Sequence, residues 1–293
     1  MNPNERSLVR RVPCLVFCDE SGQFQTRGDL SLVAALIVAD LVEERDRLRD
    51  VAGQLAPAVS RDGKRRKLVP SLVTDAMLES VRRAVFAGGW IVHFAAARWE
   101  EPAVRSLRTD LLGFVRPLLD APEALDVGGA PDLRPYFAAE DIERWHDQDV
   151  AYAMTLFHVL STGAGQLESM GDYPLMRVVV DRRAGIRSAL ALEIIARMAV
   201  SPGGATAKAR LAQVLGIAPT RRLNISIAGD EGTCGLEVAD LIAKTYAAAL
   251  DGGRRDPDGR WAAFRASLDR APQSPKVEIK PRAAGDRPPH PGC

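Results

Sequence analysis

The sequence predicts an α/β fold, a mixed sheet flanked by helices in a single domain, and three observations carry that prediction. Two apolar runs, Val12–Cys18 and Leu30–Ala39, lie close together across a short polar link, the pattern of an antiparallel hairpin. From residue 175 onward, short β-branched runs alternate with helical segments, the rhythm of parallel strands joined by helices. Hydrophobic residues make up 46% of 293 positions, enough for one large core.

Taken in order, residues 1–11 are polar and expected to be flexible, and the domain proper spans 12–251. After the opening hairpin, Val42–Leu55 has helical periodicity with a charged outer face, and Ser60–Lys67 reads as a basic loop. Ser71–Ala87 is a helix preceded by Pro70 and stopped by Gly88-Gly89. Trp90–Ala97 is a third strand, Glu100–Leu119 a helix, Asp120–Pro135 a loop and Asp141–Leu167 a long helix. Strand Leu175–Asp181, helix Arg187–Val200, strand Leu223–Ala228 and helix Leu236–Leu250 complete the alternation. The two helices between the second and third strands are extra to a plain sheet. The Pro-, Gly- and Arg-rich stretch 252–293 is expected to be a largely disordered tail. No internal repeat is present.

Lys plus Arg number 39 and Asp plus Glu 38, a near-neutral balance that argues against a protein coating nucleic acid but not against an enzyme with a local basic groove. Cys14, Cys18, Cys234 and Cys293 lack the paired spacing of a metal site; Cys14 and Cys18 are expected to be reduced fillers of a strand face. No run is long and apolar enough to span a bilayer and the first residues lack a secretory core, so a cytoplasmic protein is expected. Ser-His-Asp order, phosphate-loop and dinucleotide fingerprints do not occur.

The chemistry concentrates in carboxylates. Asp19 closes the first strand in Phe-Cys-Asp-Glu-Ser-Gly, and Asp181 closes Val-Val-Val-Asp on the fourth. Glu237 and Asp240 lie three residues apart on the last helix, hence on one face. Along the first strand, the period of two puts Leu15, Phe17 and Asp19 on one face and Val16, Cys18 and Glu20 on the other. Asp19 is therefore the preferred ligand, while Glu20 fixes the turn or meets a basic neighbour. Strand ends in such sheets face a common crevice. Carboxylates gathered there repel one another, and Mg²⁺ or Mn²⁺ is the economical neutraliser, with Asp19, Asp181 and Asp240 as its ligands. Such ions suit phosphodiester cleavage. Plain structural roles compete at each position: turn formation at Asp19, pairing with Arg182 or Arg183 at Asp181, and a helix-dipole effect at Glu237.

Phosphate contacts are expected from Lys67 in the cluster Lys64 to Lys67, and from Arg182 and Arg183. Arg187, Arg221 and Arg222 are further basic residues near proposed site strands. His93 and His158 sit in apolar runs and read as core, whereas His146 beside Asp147 is exposed enough to move a proton.

Three motifs in this order, Phe-Cys-Asp-Glu-Ser-Gly, Val-Val-Val-Asp-Arg and Gly-Leu-Glu-Val-Ala-Asp-Leu-Ile-Ala, resemble the bacterial DUF3800 family over roughly Val12 to Leu250. The resemblance implies a ribonuclease-H-like fold, with acids on the first strand, a later strand and the last helix. Those acids correspond to Asp19 and Glu20, Asp181, and Asp240. Glu237 stands where glutamine is more usual. A fourth acid would come from Glu100, Asp110, Asp147 or Asp149, with Asp149 preferred. The function expected first is a Mg²⁺- or Mn²⁺-dependent phosphodiesterase acting on RNA or DNA in a bacterial defence or mobile-element system, with Glu20 and Glu237 assisting the three ligands. The alternatives are a non-catalytic adaptor in such an assembly, with a protein partner, and a metal enzyme acting on nucleotides or other small phosphorylated molecules.

Overall fold

A computed structural model describes residues 13–25, 27–62, 65–120, 143–170, 175–181, 186, 222–227, 234–251, 255–271 and 277–278. The strands are β1 (Cys14–Ser21), β2 (Arg27–Ala39), β3 (Val59–Asp62), β4 (Arg65–Leu68), β5 (Ile91–Glu100), β6 (Leu175–Val180), β7 (Arg222–Ile227) and β8 (Val277–Glu278). The helices are α1 (Val42–Leu55), α2 (Asp75–Gly88), α3 (Glu101–Asp120), α4 (Asp147–Met170), α5 (Cys234–Asp251) and α6 (Arg260–Leu268).

The chain is mixed α/β. One sheet has the order β7-β6-β1-β2-β5-β8. Only β2 runs against the others: β1 and β5 are antiparallel to it, while β6, β7 and β8 run parallel to their inner neighbours. β2 is the deepest strand, with Ser31 through Val38 all buried, as the apolar run Leu32–Val38 requires of a strand covered on both faces.

The alternation of side chains along β1 divides the core in two. Cys14, Val16 and Cys18 pack with Val178 and Val180 of β6 and with Val150, Leu156 and Leu160 of α4. Phe17 belongs to the opposite face, where Leu236, Val238 and Ile242 of α5 join Leu48 of α1 and Val81 of α2. Cys14 and Cys18 are buried thiols. Burial, and then the charge of Asp19, push the Cys18 thiol far above its ordinary range, which keeps it inert.

Several expectations are corrected. The basic segment Ser60–Lys67 is a hairpin instead of a loop, with Ser60 opposite Lys67 and Asp62 opposite Arg65. Helix α2 begins at Asp75, after a 3₁₀ turn over Pro70–Leu72, because the Thr74 hydroxyl accepts the Met77 amide at 3.3 Å and caps it there. It ends at Gly89, which takes the left-handed conformation at φ 60°.

The stretch 252–293, expected to be largely disordered, contains α6, which buries Trp261, Phe264 and Leu268 at spacings of three and four. It also contains β8, paired with β5 at Ala95 and Ala96. Each buried side chain of that size contributes about 1.5–3 kcal/mol. Ending the chain at Gly252 is therefore expected to lower the melting temperature by about 10 °C or more, at about 2–4 °C per kcal/mol. Differential scanning calorimetry reads the outcome; an unchanged transition would mean that α6 contributes nothing. The helix expected at Arg187–Val200, the N-terminal segment 1–11 and most of the loop 120–135 lie outside the described residues.

Candidate functional site

β1, β6 and β7 are parallel, so their C-terminal ends lie along one edge. The register pairs Cys18 with Val180, which puts Asp181 level with Asp19. The Asp181 amide extends that ladder, donating to the Cys18 carbonyl at 3.3 Å. Val179, two residues before Asp181, packs with the Phe17 cluster. By the same alternation, Asp181 follows Asp19 onto the face covered by α5.

Helix α5 lies directly on β1 because of Gly235. A Cβ at that position would fall inside the van der Waals surface of the Phe17 ring. Asp240 follows about one and a half turns later, and Glu237, in the first turn, is half-buried. At the other side of the site Gly22 closes the turn after β1 with φ 105°, and a Cβ there would stand 2.6 Å from the Leu30 carbonyl oxygen. Glycine alone satisfies both demands.

The electrostatics centre on Asp19, which is only 8% exposed. Its Oδ1 accepts the Glu20 amide at 2.6 Å, which favours the charged form. Burial outweighs this, and the charges of Asp240, Glu20 and Asp181 act with it, so the carboxyl is held well above the usual carboxylate range. The fold thus brings Asp181 and Asp240 each within electrostatic reach of Asp19. Glu20 takes part as the adjacent residue but alternates to the α4 face. Asp181 is exposed at the edge.

Asp240 has a partner of its own. Its Oδ2 accepts Lys244 Nζ at 2.6 Å and the Leu68 amide at 3.2 Å, and Lys244 Nζ also donates to the Leu68 carbonyl at 3.0 Å. The last residue of β4 is therefore fastened to α5 by its backbone, and Lys67, exposed, lies next to that fastening. Sequence reasoning missed Lys244, although its spacing of four from Asp240 on a helix is a signal that could have found it.

The remaining candidates separate from this group. Asp149 is 1% exposed on α4, the helix covering the face opposite Asp19. Asp147 is paired with Arg108 at 2.6 Å, and Glu100 is exposed at the end of β5. Asp110 lies in α3. His93 is buried; His158 is largely buried and pushed down by that burial; His146 is exposed. Lys64, Arg182, Arg183, Arg187 and Arg221 lie outside the described residues; Arg222 opens β7.

The donor set suits a hard divalent cation: it is all carboxylate oxygen, and burial, with the repulsion of its neighbours added, leaves Asp19 inclined to keep a proton. Among the described residues, no three His, Cys, Asp or Glu side chains stand in positions that would hold a metal ion as they are. The hydrogen bonds from Glu20 to Asp19, and from Lys244 and Leu68 to Asp240, occupy oxygens that a cation would take. Among the same residues no helix is long and apolar enough to cross a membrane. No protein-family model matches the chain, and no curated protein matches it.

Proposed function

We propose that the chain is a Mg²⁺- or Mn²⁺-dependent phosphodiesterase acting on nucleic acid in the bacterial cytoplasm, of the DUF3800 kind and built on a ribonuclease-H-like core. The observation that carries this reading is the Asp19 carboxyl at the end of β1, raised first by burial and then by Asp240, Glu20 and Asp181. The strand order adds support. Numbering only the five longer strands, it runs third, second, first, fourth, fifth with the second reversed, the order expected of a ribonuclease-H-like core.

In this reading Asp19, Asp181 and Asp240 hold the cation, and Glu20 and Glu237 assist from either side of the strand end. A divalent cation bound there supplies Lewis-acid polarisation of a phosphoryl oxygen and a water of lowered pKa. Asp19 must surrender its proton before it can act as a ligand, and burial keeps water from screening it. Lys67, on the exposed side of the β3–β4 hairpin, contacts substrate phosphate, and Arg182 and Arg183 do the same after β6. A bacterial defence or mobile-element system is the setting that the resemblance suggests.

Isothermal titration with Mn²⁺ tests the reading. Binding is expected at pH 8 and should weaken by about tenfold per pH unit below the raised Asp19 value, because one proton is displaced. Asp19→Asn and Asp240→Asn should each weaken it by at least about tenfold, or about 1.4 kcal/mol. Absence of binding, or binding unaltered in both variants, would sink the proposal. One contact favours the non-catalytic adaptor instead: Lys244 already matches the Asp240 charge. That reading expects no Mn²⁺ heat and a stoichiometric protein partner in a pull-down.

A further inference from the structure

Beside the carboxylates lies a cavity of about 270 Å³ that none of the chemistry above uses. Ser21, two residues after Asp19, forms one wall, and Lys244, the partner of Asp240, forms another. Leu68, Leu241 and Trp261 supply apolar walls, Thr245 adds a hydroxyl, and Arg255 also lines it. The Arg255 guanidinium is 54% exposed and its Nε meets Asp251 at 3.2 Å. The Trp261 indole is held by Arg260, stacked 4.8 Å above its ring.

Three properties narrow the ligand. The volume is near the lower end for small-molecule sites, below about 300 Å³, which suits one compact ligand. Two cations in a lining of mixed polar and apolar side chains suit an anionic group attached to a flat body with both polar and apolar edges. Lys244 has three donor protons, of which the Asp240 and Leu68 contacts use two. An Arg adds a fork of donors matched to phosphate. Aromatic and aliphatic walls accept a nucleobase without regard to its hydrogen-bonding edge.

We infer that this cavity is a nucleotide subsite. It takes one nucleoside monophosphate unit, with the phosphate on Lys244 and Arg255 and the base among Leu68, Leu241 and Trp261. This rests on the reading of the neighbouring carboxylates as a phosphodiesterase centre, since it makes the bound unit the nucleotide next to the phosphate under attack. Lys244 then links the two halves: it holds Asp240 on one side and substrate phosphate on the other.

The test is titration calorimetry of the full chain in EDTA, with adenosine 5′-monophosphate, uridine 5′-monophosphate, adenosine and inorganic phosphate. Both nucleotides are expected to bind at least tenfold more tightly than adenosine or phosphate. Arg255→Ala should weaken them at least tenfold with melting temperature unchanged, and Ala248→Trp, which fills the cavity from a buried position and lowers the melting temperature by overpacking, should weaken them at least as much. Nucleotides binding no better than phosphate, or binding indifferent to both variants, would overturn the assignment. Displacement by a 5′-phosphorylated dinucleotide would assign the unit to a polymer, and lack of displacement to a free nucleotide. Hydrolysis of bis(p-nitrophenyl) phosphate with Mn²⁺ reads the carboxylates alone. Its absence with nucleotide binding intact rejects the phosphodiesterase and keeps the subsite; its presence without nucleotide binding does the reverse.

Discussion

Asp19→Asn is expected to make the protein more stable at pH 8 and to remove the Mn²⁺-dependent phosphodiester hydrolysis proposed for it. The sign of the stability change follows from the raised carboxyl. Near pH 4 and below, Asp19 carries its proton in the folded chain and increasingly in the unfolded one, so wild type and variant should melt alike. As the pH rises through the folded-state value, the wild type must put a charge among Asp240, Glu20 and Asp181 and loses stability; the asparagine never does. The gain in melting temperature should therefore grow from near zero at pH 4 as the pH rises toward 8, at about 2–4 °C per kcal/mol relieved. Saturating Mn²⁺ should reverse the order, because only the wild type gains stability by binding. Hydrolysis should fall by at least about a hundredfold, equivalent to about 2.7 kcal/mol of barrier. Thermal melts at pH 4, 6 and 8, with and without Mn²⁺, read all of this. A variant less stable than wild type at pH 8 without metal would contradict the electrostatic account.

Gly235→Ala carries the second large effect. The added methyl meets the Phe17 ring, so α5 must lift from β1 or Phe17 must leave its rotamer. Overpacking of this kind costs about 1–3 kcal/mol. Its functional cost should be larger, since Asp240 rides on the same helix and a displacement of about 1 Å can cost about a hundredfold in rate. Phe17→Leu in the same chain makes room and should restore part of both losses, a coupling that a double-mutant cycle measures directly. Additive losses would mean that the glycine serves the helix end alone.

The parity of β1 is legible in the residues alone, because a strand has a rigid period of two. Leu15, Phe17 and Asp19 must share one face, and Val16, Cys18 and Glu20 the other. The same rule, applied to Val179 of β6 and to Asp181 just after it, puts the second acid on the face of the first; that the two stand level comes from the β1–β6 register, which the sequence does not show. The hairpin at 59–68 is not legible in this way. Its sequence has no apolar alternation, and its base, Val59 and Leu68, packs against the core. Helix α6 is hidden by composition: three buried residues at helical spacing stand among proline, glycine and arginine. Lys244 is masked because the run around Asp240 reads as apolar. The role of Gly235 depends on which ring the fold sets against it, and that is tertiary information.

The fastening of β4 to α5 uses the amide and carbonyl of Leu68, groups that every residue but proline has in full. What lies beyond Leu68 can therefore be rewritten without touching the attachment. The hairpin is in effect an interchangeable head on a fixed joint. A lineage or an engineer could exchange Ser60 through Lys67 while the attachment to Asp240 and Lys244 keeps its form.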